Sequence, residues 1–300
     1  MAGAPALRIR LGTRGSLLAR AQSESVASLL RAAGHEVEIV LIVTEGDVRR
    51  PDTTPGEGIF VAAIASALAG GEIDVGVHSA KDVPLEEDRG LVIAAYPQRA
   101  DPRDALVTRS GSRSLGTLAA KSRVGTDSPR RAGFVLAARP DVSIVPLHGN
   151  VDTRLRRLDA GEVDALVIAA AGLDRLGRGD RIDERIEPNV VTPAPAQGAL
   201  AVQARASDTR LVELLAAHDQ PDIRLAVEAE RSVLFATGGT CRAPVGALAV
   251  LEEDGFTMVV GGVNSDGSDL RVETVRGRRS EAIAVAEAAG RRLAGAVMLR

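Results

Sequence analysis

The chain has 300 residues, of which 45% are hydrophobic and 26% charged, and its formal net charge is −3. This balance is typical of a globular protein with a buried core, and the lack of a basic excess argues against nucleic-acid binding. One cysteine excludes an internal disulfide and fits a reducing compartment. Neither a signal peptide nor a membrane-spanning run is recognisable, so we expect a cytoplasmic protein without membrane contact.

The first hundred residues predict alternating strands and helices. Apolar residues at strand or helix spacing predict strands at 7–11, 37–43, 73–77 and 91–95, and helices at 17–33 and 60–68. The order strand, helix, strand is typical of an α/β fold with a parallel sheet. The stretch 44–58 is rich in Pro, Gly, Asp and Thr and predicts a mobile surface loop.

The pattern begins again after residues 101–104, which we interpret as a domain boundary. Strands are predicted at 122–125, 142–145 and 163–168, and helices at 130–138 and 151–160. Two features recur in both halves, namely a Gly-Thr turn before a helix (12–16 and 125–128) and a Gly-Glu-apolar-Asp entry to a strand (71–74 and 161–164). The sequence therefore predicts two similar lobes with a cleft at their strand ends.

The remainder of the chain predicts a return to the first lobe and a further small domain. An extended connection is expected at 189–198, strands at 199–203, 245–251, 256–261 and 270–274, and helices at 211–217, 222–235 and 281–294. The predicted fold is α/β, with two similar doubly wound lobes and a small C-terminal α+β domain. The expected domains are 1–99 plus 196–218, then 100–195, then 219–300.

The only cysteine, Cys241, stands in the loop-forming sequence Gly-Gly-Thr-Cys-Arg-Ala-Pro. Arg242 favours the thiolate, which is the nucleophilic form of the side chain. A lone cysteine is nevertheless more often a small buried hydrophobic side chain. The residues alone leave both interpretations open, because none of the four histidines can be placed beside Cys241.

Cationic and anionic side chains gather at the predicted strand ends. Arginine forks bind carboxylates, and a serine that begins a helix adds backbone N–H donors, although singly each residue is more often solvated or a helix cap. The candidates for anion binding are Arg14, Ser16, Ser128, Arg130, Arg131, Arg154 and Arg175. Asp82 is an acidic exception. It either holds a cationic N–H group and exchanges a proton, or simply pairs with Lys81 in a turn.

Nine short segments, taken together and in order, carry a more specific signal. They are Gly-Thr-Arg-Gly-Ser (12–16), Thr-Glu-Gly-Asp (44–47), His-Ser-Ala-Lys-Asp-Val-Pro (78–84), Asp-Pro-Arg-Asp-Ala (101–105), Val-Gly-Thr-Asp-Ser-Pro-Arg-Arg (124–131), His-Gly-Asn-Val-Asp-Thr-Arg-Leu (148–155), Ala-Gly-Leu-Asp-Arg-Leu-Gly (171–177), Pro-Ala-Gln-Gly-Ala (195–199) and the Cys241 loop. Over nearly the whole chain they resemble the porphobilinogen deaminase (hydroxymethylbilane synthase) family.

The resemblance implies three domains, of which the first two are like a type II periplasmic-binding protein. It implies that Cys241 carries a dipyrromethane cofactor through a thioether, and that four porphobilinogens are added to it with loss of ammonia. Asp82 would be catalytic, and no metal would be needed. The implied cofactor-binding residues are Cys241, Ser79, Lys81, Asp82, Thr126, Ser128, Arg130, Arg131, Arg154 and Gln197, and the implied substrate-binding residues are Arg14, Ser16, His148, Gly149, Arg154 and Arg175.

The sequence departs from the family pattern at three positions. His148 stands where members usually have an arginine, Glu57 lies where many carry a lysine, and Asp127 replaces a small or hydroxyl residue in the anion-binding turn. The first change makes a carboxylate contact dependent on protonation, and the third would repel a carboxylate unless Asp127 points away. None of the three changes Asp82 or Cys241.

Three other functions compete with this interpretation. A solute-binding protein shares the two lobes. It normally carries an export signal, which this chain does not show, and it has no need for a third domain with a cysteine. A thiol hydrolase or acyltransferase would need a Cys–His pair that is not recognisable. A weakened paralogue that binds tetrapyrroles without making them fits His148, Glu57 and Asp127. The resemblance further implies a monomer, with uroporphyrinogen-III synthase as a candidate receiver of the product.

Overall fold

The computed structural model describes residues 6–43, 59–85, 90–109, 111–239 and 243–295. The strands are β1 Arg8–Thr13, β2 Glu36–Leu41, β3 Val75–Ser79, β4 Leu91–Ala95, β5 Asp104–Thr108, β6 Arg123–Gly125, β7 Ser143–Val145, β8 Ala165–Ala169, β9 Glu184–Arg185, β10 Leu200–Arg205, β11 Val245–Leu251, β12 Gly255–Gly262 and β13 Arg271–Arg278. The helices are α1 Leu17–Ala32, α2 Ile59–Ala69, α3 Pro129–Ala138, α4 Val151–Asp159, α5 Ala170–Arg175, α6 Thr209–Ala216, α7 Pro221–Ala236 and α8 Ala282–Ala294. The chain divides into unit 1 (1–98 and 200–220) and unit 2 (99–199 and 221–300).

Unit 1 is built on a five-stranded sheet in the order β2-β1-β3-β10-β4. Apolar residues on one face of the strands pack with α1 and α6, in a core that includes Val26, Leu30 and Leu211. A second core on α2 includes Ile64 and Leu68. Because both faces of the sheet are covered, its central strands are buried and read as apolar runs. This is the doubly wound arrangement predicted from the sequence.

Unit 2 repeats that plan in a sheet with the order β7-β6-β8-β5-β9. Phe134 and Val135 of α3 belong to one buried core, and Leu155 and Leu158 of α4 belong to another. The strand orders of the two sheets correspond position by position. The predicted fold class, with two similar lobes and a C-terminal α+β part, is therefore confirmed.

The Gly-Glu-apolar-Asp segments show how closely the two units correspond. Asp74 accepts hydrogen bonds from Arg10 at the backbone nitrogen, Nε and Nη2, at 3.0, 3.0 and 2.7 Å. Asp164 accepts the equivalent three bonds from Arg123, at 2.9, 3.1 and 2.9 Å. Each carboxylate therefore joins the residue before one strand to the neighbouring parallel strand. The repeat noticed in the sequence is a repeated structural device.

The prediction of a parallel sheet is wrong for one strand in each unit. β10 runs antiparallel to β3 and β4, and β5 runs antiparallel to β8 and β9. Each of these strands is the first that the chain forms after it passes from one unit to the other. Because the chain arrives from outside the sheet rather than through a crossover helix, right-handed crossover geometry does not impose a parallel direction.

The C-terminal part of unit 2 is an antiparallel sheet, β11-β12-β13, on which α7 and α8 pack. Glu230 of α7 is fully buried and joins this part to the rest of the unit. Its carboxylate accepts bonds from Arg99 at 2.8 and 3.0 Å, and from the backbone nitrogens of Ala196 and Ala249 at 2.7 and 2.8 Å. A fully partnered buried charge of this kind fixes the position of α7.

Most predicted elements are present within one or two residues of their expected bounds, and β10 rejoins unit 1 as expected. Two strands were missed, since no element was predicted over β5 or β9. The loop 44–58, with Glu57, and the residues 240–242, with Cys241, lie outside the described residues. The three domain boundaries stay a prediction.

Candidate functional site

Unit 1 brings one set of the candidate residues to a single edge of its sheet. Arg14 and Ser16 follow β1, while Lys81 and Asp82 follow β3 in a short 3-10 turn. β1 and β3 are parallel neighbours, so their carboxyl ends meet at the same edge. Asp82 is exposed there. Ligands of open α/β sheets bind beyond the carboxyl ends of the strands, so this edge is suited to binding.

Side-chain hydrogen bonds fix the two turns to each other. The hydroxyl of Ser16 caps α1 by accepting from the Ala19 nitrogen at 3.2 Å. Gln22, one turn further along α1, donates from Nε2 to the hydroxyl of Ser79 at 2.9 Å. The segment after β3, which carries Asp82, is therefore tied to the helix that follows β1.

A buried histidine holds the strand beneath Asp82. His78 Nε2 lies 3.0 Å from Oε1 of Gln203 on β10. Burial lowers the pKa of His78 to about 4, against the opposing effect of the bond to Gln203. The imidazole is therefore neutral near pH 7 and serves as a fixed hydrogen-bonding group between β3 and β10.

Unit 2 gathers the second set at the corresponding edge. Thr126 and Ser128 follow β6, and His148 and Gly149 follow β7, its parallel neighbour. The Ser128 hydroxyl caps α3 by accepting from the Arg131 nitrogen at 3.4 Å. Because Pro129 has no N–H and the Arg131 N–H is bonded to Ser128, the N–H of Arg130 is the donor that the first turn of α3 retains for an anion.

Arg130 and Arg131 are buried and share the carboxylate of Asp104. Their side chains are 4% and 8% exposed, and that of Asp104 is 0% exposed. Arg130 Nη1 lies 2.8 Å from Oδ2 and Arg131 Nη2 lies 2.8 Å from Oδ1. Burial by itself raises the pKa of Asp104, but the two arginines outweigh it and hold that pKa well below its usual range. Asp104 is thus a permanent anion.

Further bonds complete this buried cluster. Gln197 donates to Asp104 Oδ1 at 3.0 Å and to the Pro102 carbonyl at 2.8 Å, and accepts from Arg131 Nη2 at 3.2 Å. Arg130 Nη1 also donates to the Thr192 carbonyl. The cluster holds two guanidinium groups for one carboxylate. It therefore keeps a net positive charge behind the Ser128 turn.

Arg154 and Arg175 differ from these residues because no carboxylate in the described part of the chain forms an ion pair with them. Arg154 donates from Nε to the Gly149 carbonyl at 2.8 Å, and Arg175 donates from Nη2 to the Gly198 carbonyl at 2.6 Å. Both side chains are half-buried, and burial lowers the pKa of each to about 10. Each remains a cation near pH 7, and each is suited to an anionic ligand.

Two of the departures from the family pattern lie against each other. His148 Nδ1 is shielded from solvent and lies 2.8 Å from Oδ2 of Asp127. The two side chains are therefore close neighbours at this edge, and the expected effect of Asp127 on a ligand carboxylate stays a prediction. The charge of Asp127 raises the pKa of Arg154, whereas Arg131 and Arg157 lower it.

Two carboxylates important to these sites were not singled out in the sequence. Asp104 was assigned to a domain boundary, although it begins the apolar run Asp-Ala-Leu-Val-Thr, where a buried acid needs a cationic partner. Glu230 lies inside a helical pattern and gave no signal, because its partners are Arg99 and two distant backbone nitrogens. Cys241 lies outside the described residues, so its surroundings stay a prediction.

The donor set suits an organic polyanion. Serine-capped turns and half-buried guanidinium groups bind carboxylates, and an exposed carboxylate such as Asp82 can stabilise a cation. Within the described ranges, no three His, Cys, Asp or Glu side chains cluster as metal ligands do. No helix in those ranges is long and apolar enough to cross a membrane.

Two family models match this chain. "Porphobilinogen deaminase, dipyromethane cofactor binding domain" matches residues 9–213, and "Porphobilinogen deaminase, C-terminal domain" matches residues 224–298. Both matches together cover most of the chain, including every candidate residue on the two sheet edges and the Cys241 loop.

Curated relatives carry the same name. Porphobilinogen deaminase of Acidothermus cellulolyticus is 49% identical over 294 residues, covering 95% of this chain and 87% of the relative. The Mycolicibacterium gilvum protein of that name is 50% identical over 253 residues, covering 82% and 81%. The Mycobacterium tuberculosis protein is 50% identical over 252 residues, again covering 82% and 81%.

Solved structures with a similar backbone are more distant. A putative methionine-binding lipoprotein of Bacillus subtilis is 12% identical with a TM-score of 0.44, covering 72% of this chain and 92% of that protein. The methionine-binding protein MetQ is 18% identical with a TM-score of 0.42, covering 78% and 96%.

Proposed function

We propose that this chain, which belongs to the porphobilinogen deaminase family, is a hydroxymethylbilane synthase. It joins four porphobilinogen molecules head to tail, with loss of one ammonia from each, and hydrolysis releases the linear tetrapyrrole. The observation that carries this proposal is the pair of family matches over 9–213 and 224–298. The residue roles below are supported by the geometry of the two sheet edges.

The family match names a dipyrromethane cofactor, and the residues present fit such a group. A dipyrromethane carries carboxylate side chains. They need cationic side chains whose N–H groups are not already paired with a carboxylate of the protein. Arg154 meets that need, since no carboxylate in the described ranges pairs with it and burial lowers its pKa to about 10. When bound, the group supplies the pyrrole terminus to which substrate units are joined. In this proposal Cys241 holds it through a thioether.

The other cofactor contacts follow from the same edges. In unit 2, the hydroxyl oxygens of Ser128 and Thr126 accept from backbone nitrogens, and their O–H groups, with the N–H of Arg130, serve as donors to the cofactor in this proposal. Arg130 and Arg131 act mainly as a fixed positive field, since both already bind Asp104, which Gln197 also contacts. From unit 1, the proposal adds Ser79, Lys81 and Asp82.

Substrate carboxylates need a further set of donors. The proposal assigns this part to Arg14 and Ser16 in unit 1, and to His148, Gly149, Arg154 and Arg175 in unit 2. Arg175 is the clearest of these, because its half-buried guanidinium has no carboxylate partner within the described ranges. Charge-assisted, bidentate bonds from such a group fix both the position and the orientation of a carboxylate.

Asp82 performs the chemistry in this proposal. The aminomethyl group reacts in its protonated ammonium form: its C–N bond breaks, ammonia leaves with the electron pair, and the positive charge passes to the pyrrole. The exposed carboxylate on the turn after β3 stabilises that charge by accepting from the pyrrole N–H. It then accepts the proton that a ring carbon loses when the new C–C bond forms.

The remaining expectations belong to the same proposal. The enzyme acts as a monomer in the cytoplasm, without a metal, a membrane or a nucleic acid. It passes its reactive product to uroporphyrinogen-III synthase.

Replacing Asp82 by Asn tests the role of the carboxylate. We expect turnover of porphobilinogen, measured as ammonia and tetrapyrrole released, to fall about 100-fold or more because the amide can neither neutralise a cation nor accept a proton. Glu72→Gln, which alters an exposed carboxylate elsewhere in unit 1, is the matched control. Wild-type turnover in the Asp82→Asn variant would contradict this role. A wild-type protein that binds a pyrrole without releasing product would favour the weakened paralogue.

A further inference from the structure

Two arginines of unit 2 share one pattern of hydrogen bonds. Arg154 donates from Nε to the carbonyl of Gly149 at 2.8 Å, and Arg175 donates from Nη2 to the carbonyl of Gly198 at 2.6 Å. Within the described ranges, neither guanidinium forms an ion pair with a carboxylate. A neutral carbonyl therefore fixes the position of each cation without cancelling its charge.

Arg123 shows the more usual way to hold a guanidinium. It donates from Nη2 to the carbonyl of Gly161 at 2.9 Å, but it also pairs with the carboxylate of Asp164 at 2.9 Å. A carboxylate partner binds a guanidinium more strongly than a carbonyl does, but it would compete with a carboxylate ligand for the same N–H groups. The carbonyls of Gly149 and Gly198 avoid that competition.

Both acceptor carbonyls belong to glycines whose backbone conformation disfavours any side chain. The φ angle is +113° at Gly149 and +87° at Gly198. A Cβ at position 149 would lie 3.0 Å from Cγ2 of Thr153, and a Cβ at position 198 would overlap the carbonyl oxygen of Ala100. Because other residues favour negative φ, a side chain at either position would turn the peptide and redirect its carbonyl.

We propose that Gly149 is a positioning residue, whose carbonyl aims Arg154 at a carboxylate of the pyrrole chain while leaving the charge of the arginine available. Arg154 lies on the first turn of α4, and its side chain folds back to the residue before the N-cap Asn150. Its two Nη atoms bind no carboxylate in the described part of the chain, and together they form the fork that a bidentate contact requires. Gly198 repeats the arrangement at Arg175.

This inference rests on the proposed function only in naming the ligand as a carboxylate of porphobilinogen or of the growing chain. Gly149 serves the substrate edge through Arg154, since its carbonyl is an acceptor and would repel a ligand carboxylate. Its effect on binding should therefore disappear when the guanidinium is removed.

Proton exchange at arginine side chains tests the positioning role without any turnover. It is measured by NMR on the purified protein labelled at the arginine nitrogens, and Arg154→Lys and Arg8→Lys identify two Nε–H signals. In the wild type, we expect the Nε–H of Arg154 to exchange at least about tenfold more slowly than that of Arg8. The Arg8 side chain is 73% exposed and donates through Nη2. Equal exchange rates in the wild type would overturn the proposal, and this comparison needs no glycine variant to fold.

Gly149→Ala should then speed the exchange at Arg154 about tenfold, because the carbonyl no longer accepts from Nε. Gly161→Ala is the matched control. Gly161 also has a positive φ and a carbonyl bonded to an arginine, but Asp164 holds that arginine as well. The control should leave the exchange at Arg154 unchanged, and an unchanged rate in Gly149→Ala would overturn the proposal.

Steady-state kinetics test whether Gly149 acts through Arg154. We expect Gly149→Ala to raise the KM for porphobilinogen about tenfold, with a smaller effect on kcat, and Gly161→Ala to leave it unchanged. In an Arg154→Gln background, Gly149→Ala should change KM by less than about twofold, because no guanidinium remains to be oriented. An equal rise in both backgrounds, or in Gly161→Ala, would overturn the proposal. A wild type without turnover would instead contradict the proposed function, and the exchange rates would still decide the role of Gly149.

Discussion

At the scale of single residues, the arginines of unit 2 fall into two groups with different tasks. Arg130 and Arg131 are buried against Asp104 and keep a positive field behind a capped turn. Arg154 and Arg175 donate to backbone carbonyls and form no ion pair among the described residues, and burial lowers the pKa of each to about 10. In the first group the loss of Asp104 would leave buried charges uncompensated, whereas the second group retains binding capacity for a carboxylate ligand.

Asp104→Asn tests the structural half of this division. The substitution keeps the shape of the side chain but leaves two buried guanidinium groups without a counter-charge. We expect the free energy of unfolding to fall by about 3–5 kcal/mol, measured by urea denaturation. Asp141→Asn removes an exposed partner of Arg139 and should cost about 1 kcal/mol or less. Equal losses in the two variants would contradict the account.

At the scale of secondary-structure elements, the pairing of β3 with β10 supports the turn that carries Asp82. The first residues of β10 lie opposite the last residues of β3, and His78 and Gln203 hold the two strands together by a buried side-chain bond. This pairing places a titratable group inside the sheet, directly before Ser79. Its protonation state therefore affects the stability of unit 1.

The stability of the wild type should depend on pH through His78. Its pKa is about 4 in the folded chain, compared with about 6.5 when unfolded. The unfolded chain takes up the proton first, so the contribution is complete above about pH 6.5 and is lost as the pH falls toward 4. The expected loss over that window is about 3 kcal/mol. Urea denaturation of His78→Gln should show a flatter profile there, and an unchanged slope would contradict a buried neutral imidazole.

Close packing of α3 on the C-terminal part of unit 2 gives a second prediction for an element. A methyl group on Gly133 would overlap the backbone oxygen of Asn264, which cannot move aside as a side-chain end could. We expect Gly133→Ala to lower the free energy of unfolding by about 1–3 kcal/mol, despite the helix preference of alanine. Gly116→Ala, whose methyl would meet only the Ser114 hydroxyl at 3.8 Å, is the control. A more stable Gly133→Ala variant would contradict this packing.

The elements that the sequence predicted are those with local signals. Ser16 and Ser128 indicate the starts of two helices, and the two Gly-Glu-apolar-Asp segments indicate the starts of β3 and β8. The presence of β5 and the antiparallel direction of β10 depend on where the chain passes between units. The local spacing of apolar residues carries no information about that passage. The Asp127–His148 pair could be noticed only as two separate departures, because their contact joins residues of two loops.

At the scale of the whole molecule, two units of matching topology present acidic and basic side chains at equivalent sheet edges. Unit 1 carries the exposed Asp82 together with Arg14 and Lys81 at its edge, and unit 2 carries half-buried cations at its own. Such side chains suit a reaction in which cations hold polyanionic pyrroles while a carboxylate stabilises a developing cation. In the sequence, the only cysteine stands between α7 and β11, two elements of the C-terminal part of unit 2, in which Glu230 is buried.

The intact mass of the denatured protein, measured beside a Cys241→Ala variant, shows whether Cys241 carries the cofactor. We expect the wild type to exceed its sequence mass by two linked pyrrole units and the variant to match its own. The chains should be expressed with an ample supply of porphobilinogen, so that cofactor assembly is not limited by substrate. An unmodified wild-type chain under those conditions would contradict both the anchoring role of Cys241 and the proposed mechanism.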